Sequence, residues 1–238
     1  MWDKFFFCLA FLIAYTVQAV TGFAGNIFAM PVGTHLLGLS SSVAILNTMG
    51  VFACGLLGII NYKYVDWRQL AKICLVMLPF LALGIWLDSV IELRVLLRIY
   101  GAVIVAVGVY NLVKKKQRFL PAWGQYAIIA GAGLIQGMFV SGGALLVIYA
   151  VQAIPDKMRF RATLSMVWAV LNLIYAVFSF QQGYFTADVA QVVIVCIPLA
   201  VLATFLGSRI QRRVSQQVFL KICYVLLLLI GAVLLVTS

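Results

Sequence analysis

Acidic residues are scarce in this chain: six Asp and Glu stand against 17 Lys and Arg, and charged residues of both signs make up only 10% of it. Average soluble domains carry about 25% charged residues, and a solvated surface needs about that much. The shortfall excludes a soluble enzyme and a disordered tail. Histidine is limited to His35, which cannot assemble a metal centre with scattered cysteines. The five cysteines (Cys8, Cys54, Cys74, Cys196 and Cys223) sit singly in apolar runs without a Cys-x-x-Cys pair, so they read as small hydrophobes rather than disulfide or redox partners. No Gly-x-Ser-x-Gly elbow occurs either. Catalysis inside a bilayer needs a nucleophile with its base, or a metal. An enzyme is not expected, and neither is a cofactor.

What is present is apolar: 65% of the 238 residues. A helical crossing needs about 20 consecutive apolar residues. The chain therefore reads as an all-α integral membrane protein with no room for a soluble domain. Its lipid bilayer surroundings also explain the net charge of +11, which sits in short loops where it sets orientation; nucleic acid is not an expected partner.

The apolar stretches run over 5–36, 42–62, 70–87, 93–113, 123–153, 162–182, 187–208 and 217–236. Stretches 5–36 and 123–153 exceed one crossing, since each is roughly 47 Å as a straight helix against a core of about 30 Å. Both carry polar, glycine-containing interruptions, at Val20–Asn26 and Val140–Gly143. Glycine costs about 1 kcal/mol of helix propensity relative to alanine. A broken helix that turns back is expected in each. A secretory signal at the N-terminus is the weaker reading, because Asp3 offsets Lys4 and apolar character continues past Ala19.

Loop charges test the re-entrant reading. Bases cluster at Lys63, Arg68 and Lys72; at Lys114–Lys116 and Arg118; at Lys157, Arg159 and Arg161; and at Arg209, Arg212 and Arg213. If both long stretches enter and return to one face, all four clusters fall on the same side, which the positive-inside rule makes cytoplasmic. Both termini then lie outside. The halves match at a shift of about 120 residues: Ala24-Gly25-Asn26 with Ser141-Gly142-Gly143, Thr48 with Ser165, Tyr64-Val65 with Tyr184-Phe185, Pro79 with Pro198, and Arg98 and Gly108 with Lys221 and Gly231. Two inverted repeats follow, 1–118 and 119–238, each a re-entrant helical hairpin plus three transmembrane helices. That architecture recurs in secondary transporters.

The segment Thr21–Pro31, with Leu36-Leu37-Gly38-Leu39, Asn47-Thr48, Tyr64–Arg68, Gly137–Gly143 and Arg161–Ser165, resembles the motifs of the sulfite exporter TauE/SafE family over essentially the whole chain. The resemblance implies a bacterial inner (cell) membrane permease for sulfite, a sulfonate or a related organic anion.

The hairpins suggest where such an anion would bind. The second arm of each starts with backbone amides that have no intrahelical acceptor and a partial positive charge. An unsatisfied amide in lipid costs several kcal/mol, and an anion satisfies it well. Candidate substrate-binding residues at mid-membrane are Gln18, Thr21, Gly22, Gly25, Asn26, Asn47 and Thr48 in the first half. In the second they are Gln136, Gly137, Ser141, Gly142, Gly143, Thr163, Ser165 and Asn172. For any single hydroxyl the competing reading is a bond to its own i−4 carbonyl, and for the glycines it is close helix packing. All six acids (Asp3, Asp66, Asp88, Glu92, Asp156 and Asp188) lie at segment ends or in loops, so coupling through a buried carboxylate is disfavoured. A small-anion exporter or permease is the expected function. An anion channel with the same cradle is the alternative, and an accessory subunit is a further reading. A homodimer is left open.

Overall fold

The computed structural model describes residues 2–88, 105, 109, 121–140 and 142–237. Among the described residues all regular structure is helical: α1 (Trp2–Thr21), α2 (Gly25–Leu37), α3 (Leu39–Ile60), a 3-10 turn (Tyr62–Tyr64), α4 (Trp67–Asp88), α5 (Ala122–Phe139), α6 (Gly143–Ala153), α7 (Lys157–Gln181), α8 (Ala187–Arg213) and α9 (Gln216–Thr237). Apart from residues 105 and 109, the helix expected over 93–113 lies outside the described residues, as do the basic cluster at 114–118, Glu92, Arg98, Gly108 and Ser141. Trp2–Thr21, Leu39–Ile60, Trp67–Leu87, Lys157–Gln181 and Ala187–Arg213 are each long and apolar enough to cross a membrane.

Both long apolar stretches are broken where the glycines stand, between Thr21 and Gly25 and between Phe139 and Gly143. α1 has 20 residues, about 30 Å at 1.5 Å per residue, which is a full crossing in length. The arms that follow are short, 13 residues in α2 and 11 in α6.

The chain forms two compact units that interleave its halves. One holds residues 1–74 and 158–213, the other 75–157 and 214–238. In the first unit α1 runs parallel to α8. Lys4 Nζ bonds Asp188 Oδ1 at 2.7 Å near the start of both, and Gly207 abuts Ala19 and the Thr16 carbonyl near their far ends. Between these points Phe7, Phe11 and Tyr15 meet Val189, Val192, Cys196, Ala200 and Ala203 in a buried core. α2 doubles back, with Gly25 beside Gln18 and Gly33 beside Phe7. α3 packs on α2 and α8. α7 runs antiparallel to α3, with Met166 against Gly58 and Asn172 against Gly50.

This packing sorts the charges. At one end of the first unit Arg159 Nη2 bonds Asp66 Oδ2 at 3.1 Å, Thr163 Oγ1 accepts the Asp66 amide at 2.9 Å, and Arg161 Nη2 donates to Ser208 Oγ at 3.0 Å. Three of the four chain segments that carry the expected basic clusters therefore meet there, at Asp66, at Arg159 and Arg161, and at Ser208. The Lys4–Asp188 pair and the α7–α8 connection lie at the opposite end.

In the second unit α5 runs parallel to the later part of α4. Gly133 lies over the Met77 backbone, and Gly137 is held against Leu81, Gly84 and Ile85. A side chain at either glycine would collide with backbone. α6 packs on α5 and α9. Gln216 Oε1 accepts the Lys157 amide at 3.0 Å, and its Nε2 donates to the Pro155 carbonyl, which ties the α6–α7 connection to the start of α9.

The sorted ends give a labelling test. In a cysteine-free background, single cysteines at Lys63, Arg159 and Arg213 are expected to react with an impermeant thiol reagent from one side of sealed vesicles, and Tyr184 from the other. Labelling of Tyr184 from the same side as Arg159 would contradict this packing.

Candidate functional site

The two breaks are built alike. In the first, Gly22 adopts φ +88°, a left-handed conformation that glycine enters without steric cost, and its amide bonds the Gln18 carbonyl at 2.6 Å. In the second, Val140 takes φ +53°, and its amide bonds the Gln136 carbonyl at 3.0 Å. A β-branched residue in that region costs of order 1–3 kcal/mol and persists only where its surroundings enforce it. In both hairpins the same glutamine then turns its side chain onto the start of the second arm. Gln18 Oε1 accepts the Gly25 amide at 2.5 Å, and Gln136 Oε1 accepts the Gly142 amide at 3.0 Å. Gln18 also donates from Nε2 to Cys54 Sγ at 3.1 Å, which anchors the cap to α3. Both glutamines are buried.

Each cap satisfies one amide. The next donors of α2, the Asn26 and Ile27 amides, find no backbone acceptor among the described residues. Gly143 opens α6 and is buried; Ser141 is outside the described residues. The sequence reading expected the breaks near half depth. The length of α1 carries the first one further, because Gly22 lies against the Arg161 backbone, opposite the second turn of α7.

Several expected side chains serve the fold instead. Thr21 Oγ1 donates to its own i−4 carbonyl of Val17, and Thr48 Oγ1 to that of Ala44, each at 2.8 Å. Thr163 holds the α3–α4 connection through the Asp66 amide. Gly137 makes the close approach of α5 to α4. Asn26 Oδ1 accepts from Tyr15 Oη at 2.8 Å, and that hydroxyl also lies 3.0 Å from the Leu46 carbonyl. Asn47 Nδ2 donates to the Val43 carbonyl at 2.8 Å.

Other polar atoms are buried and unspent. Among the described residues Asn47 Oδ1, Ser165 Oγ and Asn172 Oδ1 have no hydrogen-bond partner, nor do Arg161 Nη1 and Trp168 Nε1. Buried polar atoms are rarely left so, and each needs a reason. Residues 161, 165, 168 and 172 follow helical spacing and share one face of α7. Arg161 escaped the sequence reading because the apolar stretch was started at 162, which made it a loop charge. The helix in fact begins five residues earlier, at Lys157, and Arg161 is only 2% exposed. The 4-3-4 spacing of Arg161, Ser165, Trp168 and Asn172 was the available signal.

Residues 7–234 match the family model described as "Sulfite exporter TauE/SafE". The chain belongs to the TauE/SafE family. Over 225 residues it is 28% identical to the "Probable sulfite/organosulfonate exporter TauE" of Cupriavidus necator, covering 90% of this chain and 87% of that one. Over 177 residues it is 27% identical to the "Probable inner membrane transporter protein TsaS" of Comamonas testosteroni, covering 73% of this chain and 74% of that protein. No solved structure matches this chain. The family assignment agrees with the motif resemblance, and those motifs fall on both helix breaks and on the start of α7 in this TauE/SafE chain.

Among the described residues no cluster of three or more His, Cys, Asp or Glu side chains is disposed to hold a metal ion. Asp66 pairs with Arg159 and Asp188 with Lys4, at opposite ends of the first unit.

The caps and the self-bonded hydroxyls differ in what their loss should cost. Gln18→Met and Gln136→Met each leave a buried amide unpaired and are expected to destabilise the protein by about 1–3 kcal/mol. Thr48→Val, which frees only an already bonded carbonyl, is expected to cost less than about 0.6 kcal/mol. Equilibrium unfolding in mixed micelles measures both, and equal effects would show that the glutamine caps hold nothing.

Proposed function

We propose that this TauE/SafE chain is a secondary transporter of a small anion, with sulfite or an organosulfonate as its substrate, in a bacterial inner membrane. One observation carries the reading: two matched helix breaks, each beginning its second arm on a glycine amide that a neutral side chain caps. In a membrane, non-helical backbone is tolerated only where protein buries it or a polar cavity meets it. A capped but otherwise unspent helix start offers amide hydrogens and a positive dipole end to an anion. The family's description as sulfite exporters and a relative named for sulfite and organosulfonate export support the choice of substrate.

The matched caps also favour two inverted repeats with re-entrant hairpins. So does the pairing of first arms: α1 lies along α8, and α5 along α4, so each hairpin's first arm lies beside the second of the three helices that follow the hairpin of the other half. On this reading the end that gathers Asp66, Arg159 and Arg161 is cytoplasmic and the N-terminus is outside. Gln18, Gly25 and Asn26 line or support an anion cradle at the first break, extended by Ser165, Asn172 and Asn47, and Gln136, Gly142 and Gly143 line or support one of the same build at the second. A channel would use the same cradle but would not show counterflow.

Purified protein in liposomes, loaded with unlabelled sulfite and given labelled sulfite outside, is expected to accumulate label transiently and saturably. Gly25→Val, whose side chain would push Gln18 off the amide, is expected to reduce that flux at least about ten-fold. Flux linear in concentration without counterflow would favour the channel. Absence of flux for sulfite, thiosulfate and sulfonates alike would overturn the anion reading.

A further inference from the structure

Arg161 is a buried cation without a counter-ion among the described residues. Its side chain reaches Ser208 Oγ through Nη2, and Nη1 is enclosed and unbonded. A guanidinium offers five N–H donors and no acceptor, so one neutral hydroxyl leaves most of its capacity unspent. Among the described residues no carboxylate pairs with it, and Asp66, at the same end, is bonded to Arg159. Taking a charge out of water costs several kcal/mol unless a partner compensates it.

Snorkelling to headgroups does not account for this arginine. A snorkelling side chain keeps its head in water, whereas Arg161 is 2% exposed. Packing does not account for it either. Gly22 abuts its Cα and Cγ, so the guanidinium stem leaves α7 beside the first helix break. Next on the same face stand Ser165 Oγ and Trp168 Nε1, at the fourth and seventh positions after it. An indole N–H can only donate. Arginine, serine and tryptophan thus present a row of buried donors, and what is missing from the row is an acceptor carrying negative charge.

We infer that Arg161 is the residue that takes the charge of the transported anion, and that Ser165 and Trp168 are the next two donors on its path along the inner face of α7. The assignment rests on the anion-transport reading above. A trigonal or tetrahedral oxyanion suits the row, because its several oxygens accept from separate donors at once. Arginine is the residue fitted to such planar, two-pronged contact; lysine supplies the charge without the fork.

The test uses full-length protein in liposomes, with labelled sulfite and labelled methanesulfonate as probes. Arg161→Gln is expected to raise KM for both by roughly ten- to a hundred-fold, the range for losing a charged hydrogen bond. Arg161→Lys should recover part of that loss, and Trp168→Phe, which keeps the ring but removes the N–H, should raise KM by about three- to ten-fold. A purely structural role would lower the unfolding temperature and the amount of active protein while leaving KM alone. Wild-type flux together with an unchanged KM in Arg161→Gln overturns the assignment but not the transport reading. If Arg161→Gln does not fold, unchanged KM values in both Arg161→Lys and Trp168→Phe overturn it equally. Wild-type protein that moves neither anion overturns both.

Discussion

A helix that is broken between two apolar arms leaves amide hydrogens that apolar surroundings cannot accept, and much of this structure answers that one problem. Each unmet amide costs several kcal/mol in hydrocarbon. The chain supplies an acceptor from within the same hairpin: Gln18 reaches forward seven residues to Gly25, and Gln136 six residues to Gly142. That reach requires the second arm to fold back against the first. It requires small residues where the arms touch, and a left-handed residue at the turn. Gly22 meets the last condition at no cost, whereas Val140 meets it with strain. The strain is tolerable because the surrounding contacts leave the backbone little freedom: Gly142 sits against the Ala132 carbonyl, and Gly137 against α4.

The rest of the packing follows from keeping these hairpins enclosed. α1 is sealed along α8 by an aromatic row, in which Phe11 and Tyr15 stack at 4.1 Å, and Tyr15 is also tied by hydrogen bond to Asn26 at the start of α2. α5 is sealed along α4 by glycines that bring backbone against backbone. One seal uses large side chains and the other uses none, yet both hold a first arm beside a long helix. Lys4 with Asp188 and Arg159 with Asp66 then finish opposite ends of the first unit. These exposed pairs add little stability in themselves. The Arg159–Asp66 pair also occupies the acid at the end of the unit where Arg161 stands.

The sequence made the helical class, the positions of both breaks and the gathering of basic segments at one end readable, because each depends on local chemistry: run length, glycine, and loop charge. Helix bounds were legible to within about five residues, and the largest error hid the most informative residue. Starting α7 at 162 turned Arg161 into a loop cation, although capping and packing begin the helix at Lys157. Hydroxyls could not be sorted in advance. Thr48 and Ser165 occupy matching places in the two halves, but Thr48 is spent on the Ala44 carbonyl and Ser165 is not. Helices that are apolar on every side give little indication of which face meets which neighbour. The partners of Gly137 and Asn172 therefore became visible only in three dimensions.

The identity of the caps bears on function. Glutamate would bind a helix-start amide more strongly than glutamine, since charge-assisted hydrogen bonds are about twice as strong as neutral ones. It would also place a negative charge where the positive end of the dipole is exposed, and two like charges a few ångströms apart in a weakly polar interior repel by several kcal/mol. An anion could then approach neither break. Glutamine satisfies the geometry and leaves the field of the helix end intact. The same logic applies at Arg161, where a carboxylate partner would have stabilised the buried cation permanently and removed it from use. Instead it has Ser208, a neutral acceptor that can be exchanged for an incoming oxyanion at small cost. Neutral partners at all three places keep the positive potential of the first unit and of the second hairpin unspent. A site that must both receive and release a charged molecule needs that condition.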